Sequence, residues 1–373
     1  MFFLIIFHQT ECQIVVGGKF WAVEKVLKAK RKNIRDLADI CSSFITFAVT
    51  LIILIMSDSV NFEQWIGTAL KALTSKPSKA ALTYLAECYI DAAMCHAVAR
   101  RWEDCYDCLK CAELTSCNSE SIVNKVITLC INCRYVIESS EIVDALFDLV
   151  ANVDFNGKPA LRKQVFGAFH WFSRFWDAYL DFCEWWGFEN FDITDFQVID
   201  KRDSLAESAY IAYSRQVIPL TVAEYTFDFY IDFIEKKLAH QFTVYADYHI
   251  CRFMIKAGFD AQDVLRGYRN YIKQKSKKSW SWISLSHLFD EESTEYQACM
   301  MFAQECEGKQ DDDAGTLDYR AVCHQLFADL KDADAVFWRN VQAKMREMRD
   351  HGWTERKRKK KGAKKEILYK RNK

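Results

Sequence analysis

From residue 57 onward, nearly every stretch of the chain repeats apolar residues at i, i+3, i+4 and i+7, the period of one helix face. The pattern predicts helices over 60–74, 78–99, 102–115, 119–137, 140–151, 159–186 and 204–217. It continues with 221–239, 243–257, 260–275, 279–289, 293–306, 316–330 and 332–350. The connections are short, so successive helices pair as neighbours. With Gly 12 and Pro 3, the chain has few strong turn punctuators. Hairpin-rich sandwiches and barrels consume such residues, so the expected fold class is all-α.

Paired helices of even length call for a search for repeats. Trp282, Leu285, Ser286, Phe289, Ala298 and Phe302 fit the steps of a tetratricopeptide helix pair. A shift of one repeat of about 34 residues brings up Tyr248, Cys251, Ile255, Val264 and Tyr268. Earlier in the chain, Tyr89, Ala93, Cys105, Leu109 and Ala112 take corresponding places. The pattern has a steric cause: one helix lies close against another only where a side chain is small, with larger groups filling the space on either side. The expected architecture is therefore a tetratricopeptide-like solenoid of antiparallel helix pairs.

This register bears on the cysteines. Cys108, Cys111, Cys130 and Cys133 form two C-x-x-C pairs, formally a zinc spacing. Knuckles that gather two thiolates on one ion use a tight turn with Gly or Pro, and CYDCLKC has neither. Packing is the first reading, with Cys105 in a slot that requires a small residue; a cysteine-bound metal in an enzyme subunit is the alternative. The chain has fifteen cysteines but is neither short nor loop-rich, so free thiols in a reducing, cytoplasmic setting are expected over a disulfide scaffold.

Three strings, FCEWWGFENFDITDF (182–196), SLAESAYIAYSRQ (204–216) and KKSWSWISLSHLF (277–289), resemble a bacterial tetratricopeptide-like repeat family of unknown function. Members of that family stand alone or beside enzymatic modules of mobile conflict-system genes. The likeness runs from about Ser57 to Trp353. It implies a helical-repeat fold and carries no catalytic residue, and the two ends of the chain depart from it.

Those ends divide the expected organisation into an apolar extension (1–56), a helical-repeat domain (57–353) and a basic disordered tail (354–373). Ile40 to Met56 is an uncharged run at the lower edge of a membrane span, preceded by the basic KAKRKNIR. A fresh start at Met56, with Ser57 and Asp58 as caps, is the first reading, and a single-pass membrane anchor over 40–56 is the alternative. The net charge of −1 hides an acidic body and a strongly basic tail. Arg356, Lys357, Arg358, Lys359, Lys360, Lys361, Lys364 and Lys365 are candidates for phosphate-backbone contact in nucleic acid, set against a merely solubilising terminus.

Within the body, eleven aromatics crowd residues 171–196, with Phe172, Phe175, Trp176, Tyr179, Phe182 and Trp186 at helical steps. A stripe at that spacing reads as core, and an aromatic platform for a base or peptide is the alternative. His240, Asp247 and His249 lack the spacing of a metal site, and His96, His170, His287 and His324 stand singly. QDDDAGTLD (310–318) misses the EF-hand register, and VVGGKF (15–20) is not a P-loop. The sequence therefore predicts a non-enzymatic interaction scaffold with a protein partner and no cofactor. Arg252 and Lys256 are the partner-contacting candidates, and a nucleic-acid-associated accessory factor is the alternative.

Overall fold

The computed structural model describes residues 4–8, 11–16, 19–22, 62–75, 78–115, 118–198, 203–220, 222–308, 318–351, 353–354 and 370–371. Between residues 62 and 351 the described residues form α-helices joined by turns, with no strand. The chain divides into two compact units, Met1–Asn156 and Gly157–Lys373. The apolar run 40–56 lies outside the described residues, and among those described no helix is long and apolar enough to cross a membrane.

The first unit opens with three short antiparallel strands, β1 (Leu4–His8), β2 (Glu11–Val16) and β3 (Lys19–Ala22). Five helices follow: α1 (Phe62–Ser75), α2 (Lys79–Val98), α3 (Trp102–Thr115), α4 (Glu120–Cys133) and α5 (Ser140–Ala151). Ser78 and Ser119 cap α2 and α4 by accepting from Ala81 and Ile122 amides, which satisfies donors that have no partner within the helix. Helix α2 packs on α3 and on α4, while α3 packs on α5. Ala93 on α2 and Cys105 and Ala112 on α3 are completely buried.

The second unit contains α6 (Pro159–His170), α7 (Tyr179–Trp186), α8 (Leu205–Val217), α9 (Glu224–Ala239) and α10 (Val244–Ala257). It continues through α11 (Ala261–Lys275), α12 (Ser279–Ser286), α13 (Thr294–Cys306), α14 (Tyr319–Gln325) and α15 (Ala335–Asp350). Two-residue strands β4 (Trp353–Thr354) and β5 (Lys370–Arg371) pair near the end of the chain. Helix α10 packs on α8, α9, α11 and α12, and α12 on α13. Gly258 in the left-handed conformation ends α10, with φ 76°.

The single helix predicted over 159–186 is broken. Between α6 and α7 the backbone tightens into i→i+3 turns, including Phe172 to Phe169 and Tyr179 to Trp176. The break lets α7 fold back on α6. Trp186 Nε1 donates to the Arg162 carbonyl at 3.2 Å, and Arg162 donates to the Trp186 carbonyl at 2.6 Å. Phe166, Phe169, Phe172, Trp176, Phe182 and Trp186 then meet in one buried cluster, which a straight helix would have spread along its length. Burying these rings outweighs the loss of two helical turns.

Helix α15 ends the fold by returning to α9, with Gln342 Nε2 donating to the Ile231 carbonyl at 2.9 Å. Close approach of α10 and α11 depends on Gly267, where a Cβ would stand 2.6 Å from Cys251 Sγ and 3.2 Å from the Trp338 ring. Any side chain there would push apart three helices at once.

Candidate functional site

In the first unit, α2 and α4 run parallel and are joined rung by rung. Ser121 hydrogen-bonds Glu87, Lys125 Nζ meets Asp91 at 2.7 Å, and Asn132 Nδ2 contacts Met94 Sδ at 3.7 Å. The first two rungs each join residues 34 positions apart. On the far side, Lys110 on α3 reaches Asp148 on α5 at 3.0 Å, 38 positions away. The face between α2 and α4 is concave, with a hollow of about 600 Å³ lined by Ile90, Asp91, Met94, Lys125, Thr128 and Leu129.

The second unit repeats this arrangement with α8 and α10. Ser204 caps α8 by accepting from the Glu207 amide at 3.1 Å. The Ser204–Glu207 spacing is that of a capping box, whose glutamate would normally return to the Ser204 amide. Here Glu207 Oε1 instead accepts from the Thr243 amide at 2.7 Å and its hydroxyl at 2.6 Å, at the residue that caps α10. Glu207 is completely buried, its Oε2 has no hydrogen-bond partner, and desolvation lifts its pKa to about 7 against those two stabilising bonds. At the other ends, Lys256 on α10 donates to the Ile218 and Leu220 carbonyls beyond α8. These bonds join residues 36 to 38 apart and set α8 and α10 parallel.

That register places Arg215 on α8 level with Arg252 on α10. The turn after α6 comes alongside as well, because Gln216 Nε2 donates to the Ser173 and Trp176 carbonyls at 3.1 and 3.0 Å. Arg174 lies in that turn. The three guanidinium groups are near enough for Arg174 and Arg252 to depress the pKa of Arg215, after desolvation as the leading cause. Arg215 and Arg174 remain open to solvent despite this crowding, and Arg252 is half-buried beside the Tyr248 ring at 5.6 Å. The openness of Arg215 matters more than its crowding, because a ligand must reach its tip. The exposed acid Asp203 partly offsets the repulsion, yet it lies in no ion pair with the row. Beneath it, His249 is 3% exposed, its Nδ1 has no hydrogen-bond partner, and burial with the charges of Arg252 and Arg215 holds it neutral.

A Ser–His–Tyr constellation stands close by. His170 Nδ1 is 2.7 Å from Tyr179 Oη, and His170 Nε2 is 2.9 Å from Ser208 Oγ. Burial lowers the His170 pKa to about 4 and raises that of Tyr179, so the imidazole is neutral and the phenol protonated. Ser208 spends its one hydroxyl proton on the Leu205 carbonyl, which leaves Nδ1 to accept from Tyr179. Nε2–H then donates to Ser208, whose hydroxyl donates onward to the Leu205 carbonyl at 3.0 Å. Activation of a serine nucleophile needs the proton to move from serine to histidine, the opposite direction. This constellation is a satisfied polar relay joining α6, α7 and α8.

The remaining sequence candidates fall in several places. Lys256 is spent on the two carbonyls, whereas Arg252 belongs to the row. Cys130 and Cys133 are completely buried on α4, and Cys108 and Cys111 are half-buried on α3. Burial pushes the Cys108 thiol up to about 11 and Cys133 to about 12, with Cys130 raised further, so these groups keep the proton that a metal would have to displace. Among the described residues no three His, Cys, Asp or Glu side chains gather as a metal site. The aromatic stripe is buried, apart from Phe175, and offers no platform. Asp247 is buried against Lys237 at 3.0 Å rather than poised between His240 and His249. The basic-tail candidates from Arg356 to Lys365 and the acidic run through Thr316 lie outside the described residues. A second hollow, of about 770 Å³, opens beside Trp282 and Phe302 with Arg269, Lys273 and Lys277 at its rim. The sequence did not single out Arg174 or Arg215, although shifting Arg252 by the 36 to 38 residues of the structural register finds Arg215. Neither a protein-family model nor a curated protein matches the chain.

Proposed function

We propose that the chain is a non-enzymatic protein-interaction scaffold of tetratricopeptide type, in which parallel helices of successive pairs line a face open to a partner. The observation that carries this reading is the pair of rungs between α2 and α4, each spanning 34 residues, the period of the repeat. Stacked pairs of this kind leave one row of helices with side chains free to contact an extended partner. The satisfied relay at Ser208 and the protonated thiols favour binding over chemistry. The likeness of 182–196, 204–216 and 277–289 to the bacterial repeat family points the same way.

The test is affinity capture of the full chain from its native cell, with and without nuclease, read by quantitative mass spectrometry. A specific protein that persists through nuclease, and is lost when the bait is unfolded first, is the expected result. Loss of every partner on nuclease treatment would overturn the scaffold reading in favour of nucleic-acid association through the basic tail.

A further inference from the structure

We propose that the Arg174–Arg215–Arg252 row docks an extended acidic segment of a partner protein. This rests on the scaffold reading and names the chemistry of its partner. Three features carry it: the register that aligns the arginines, their accessibility, and their lack of ion pairs.

Alignment comes from bonds that do not involve the arginines. Glu207 and Lys256 fix α8 against α10 at both ends, and Gln216 fixes the preceding turn against α8. Packed helices lie about 8–10 Å apart, so the row offers cationic groups at steps of that order. An extended peptide rises about 3.3 Å per residue, so acidic residues at every third position advance about 10 Å and match the row.

Among the described residues none of the three arginines forms an ion pair or a hydrogen bond, although this protein pairs many of its surface cations. Lys163 meets Asp195 at 2.5 Å, Arg320 meets Glu305 at 2.5 Å, and Arg349 meets Asp228 at 2.6 Å. Three guanidinium groups that repel one another, with Asp203 attracting Arg215 but not paired to it, weaken the fold and invite an anion. A planar guanidinium takes carboxylate or phosphate oxygens in two parallel hydrogen bonds. The neutral His249 and His170 below supply no competing charge.

The experiment is fluorescence anisotropy of the full chain with a labelled, glycine- and serine-spaced peptide carrying three glutamates at every third position. Expected is saturable binding that weakens about tenfold or more in Arg215→Gln and falls in Arg174→Gln and Arg252→Gln. Replacing the glutamates by glutamine abolishes binding, and placing them side by side weakens it. A second arm replaces glutamate by phosphoserine: tighter binding assigns phosphorylated segments as the source of charge, and equal or weaker binding assigns plain acidic ones. Because Arg215→Gln relieves repulsion, its unfolding midpoint is expected to match or exceed that of the parent, so lost binding is not lost folding. Unchanged binding in Arg215→Gln would overturn the proposal. So would equal binding by a single-stranded oligonucleotide of the same charge. Equal loss in Arg101→Gln, on the other unit, would do the same. If peptide binding fails while nuclease-resistant capture persists, only the docking row is wrong; if capture fails while the peptide binds, the scaffold reading is wrong.

Discussion

Replacing Glu207 by glutamine should stabilise the protein, and increasingly so as pH rises. The carboxyl is completely buried and accepts two hydrogen bonds from Thr243 through Oε1, a role the glutamine carbonyl can keep. Burial lifts its pKa from the ordinary glutamate value of 4.5 to about 7. Below pH 4.5 both the folded and the unfolded chain hold the proton, and the group costs nothing extra. Between 4.5 and about 7 the folded chain keeps a proton that the unfolded chain has released, so stability falls as pH climbs. Above about 7 the full penalty is present. At 1.36 kcal/mol per pKa unit, this shift corresponds to about 3 kcal/mol.

Urea unfolding followed by tryptophan fluorescence at pH 5, 6, 7 and 8 measures the effect. The advantage of Glu207→Gln is expected to grow from about 1 kcal/mol at pH 5 to about 3 kcal/mol at pH 8. Comparing the two proteins removes the contributions of other buried groups. Asp247 is raised by burial and acts in the same direction, while His170 and His249 are lowered and act in the opposite one. A gap that does not change with pH, or a variant less stable at pH 8, would refute the assignment of a strained carboxylate.

Gly267→Val places carbon where Cys251 Sγ and the Trp338 ring already stand, and should cost about 1–3 kcal/mol, read as a lower melting temperature. Gln216→Leu strands the Ser173 carbonyl and removes one of the two donors on the Trp176 carbonyl, and should cost about 1–3 kcal/mol, with faster hydrogen exchange across residues 171–178. Cys105→Ser buries a hydroxyl in an apolar slot and should destabilise more than Cys105→Ala, by about 1 kcal/mol or more in thermal unfolding. Native Cys130 should resist iodoacetamide at pH 8 and react fully in urea, as mass spectrometry of the alkylated peptide would report.

Most helices were legible because local periodicity and caps act within a few residues. Predicted 102–115 and 140–151 coincide with α3 and α5, and predicted 204–217 differs from α8 only at its capping serine. Failure came where distant contacts override local preference. Nothing in 159–186 signals a break, since it has no Gly or Pro within 171–178; the corner is made by aromatic burial and by Gln216, forty residues away from Trp176. The docking of α15 on α9 is similarly remote, with Gln342 and Ile231 separated by 111 positions.

The candidate site shows the same division more sharply. Arg252 could be found from the repeat template because that template describes one helix pair at a time. Arg215 and Arg174 could not, because their place depends on how far one helix slides along the next. Between α2 and α4 the bonds span 34 residues at two rungs and 38 at the third, and between α8 and α10 they span 36 to 38. A slide of two residues turns a helical position by about 200° and one of four moves it about 6 Å along the axis, so a fixed period of 34 directs attention to the wrong side chains. Lys256 illustrates the converse. Its charge and spacing suggested a partner contact, but the same slide leaves two carbonyls beyond the end of α8, and Lys256 satisfies them. The bonds that disqualify Lys256 as a docking residue thus fix the register that aligns Arg215 with Arg252.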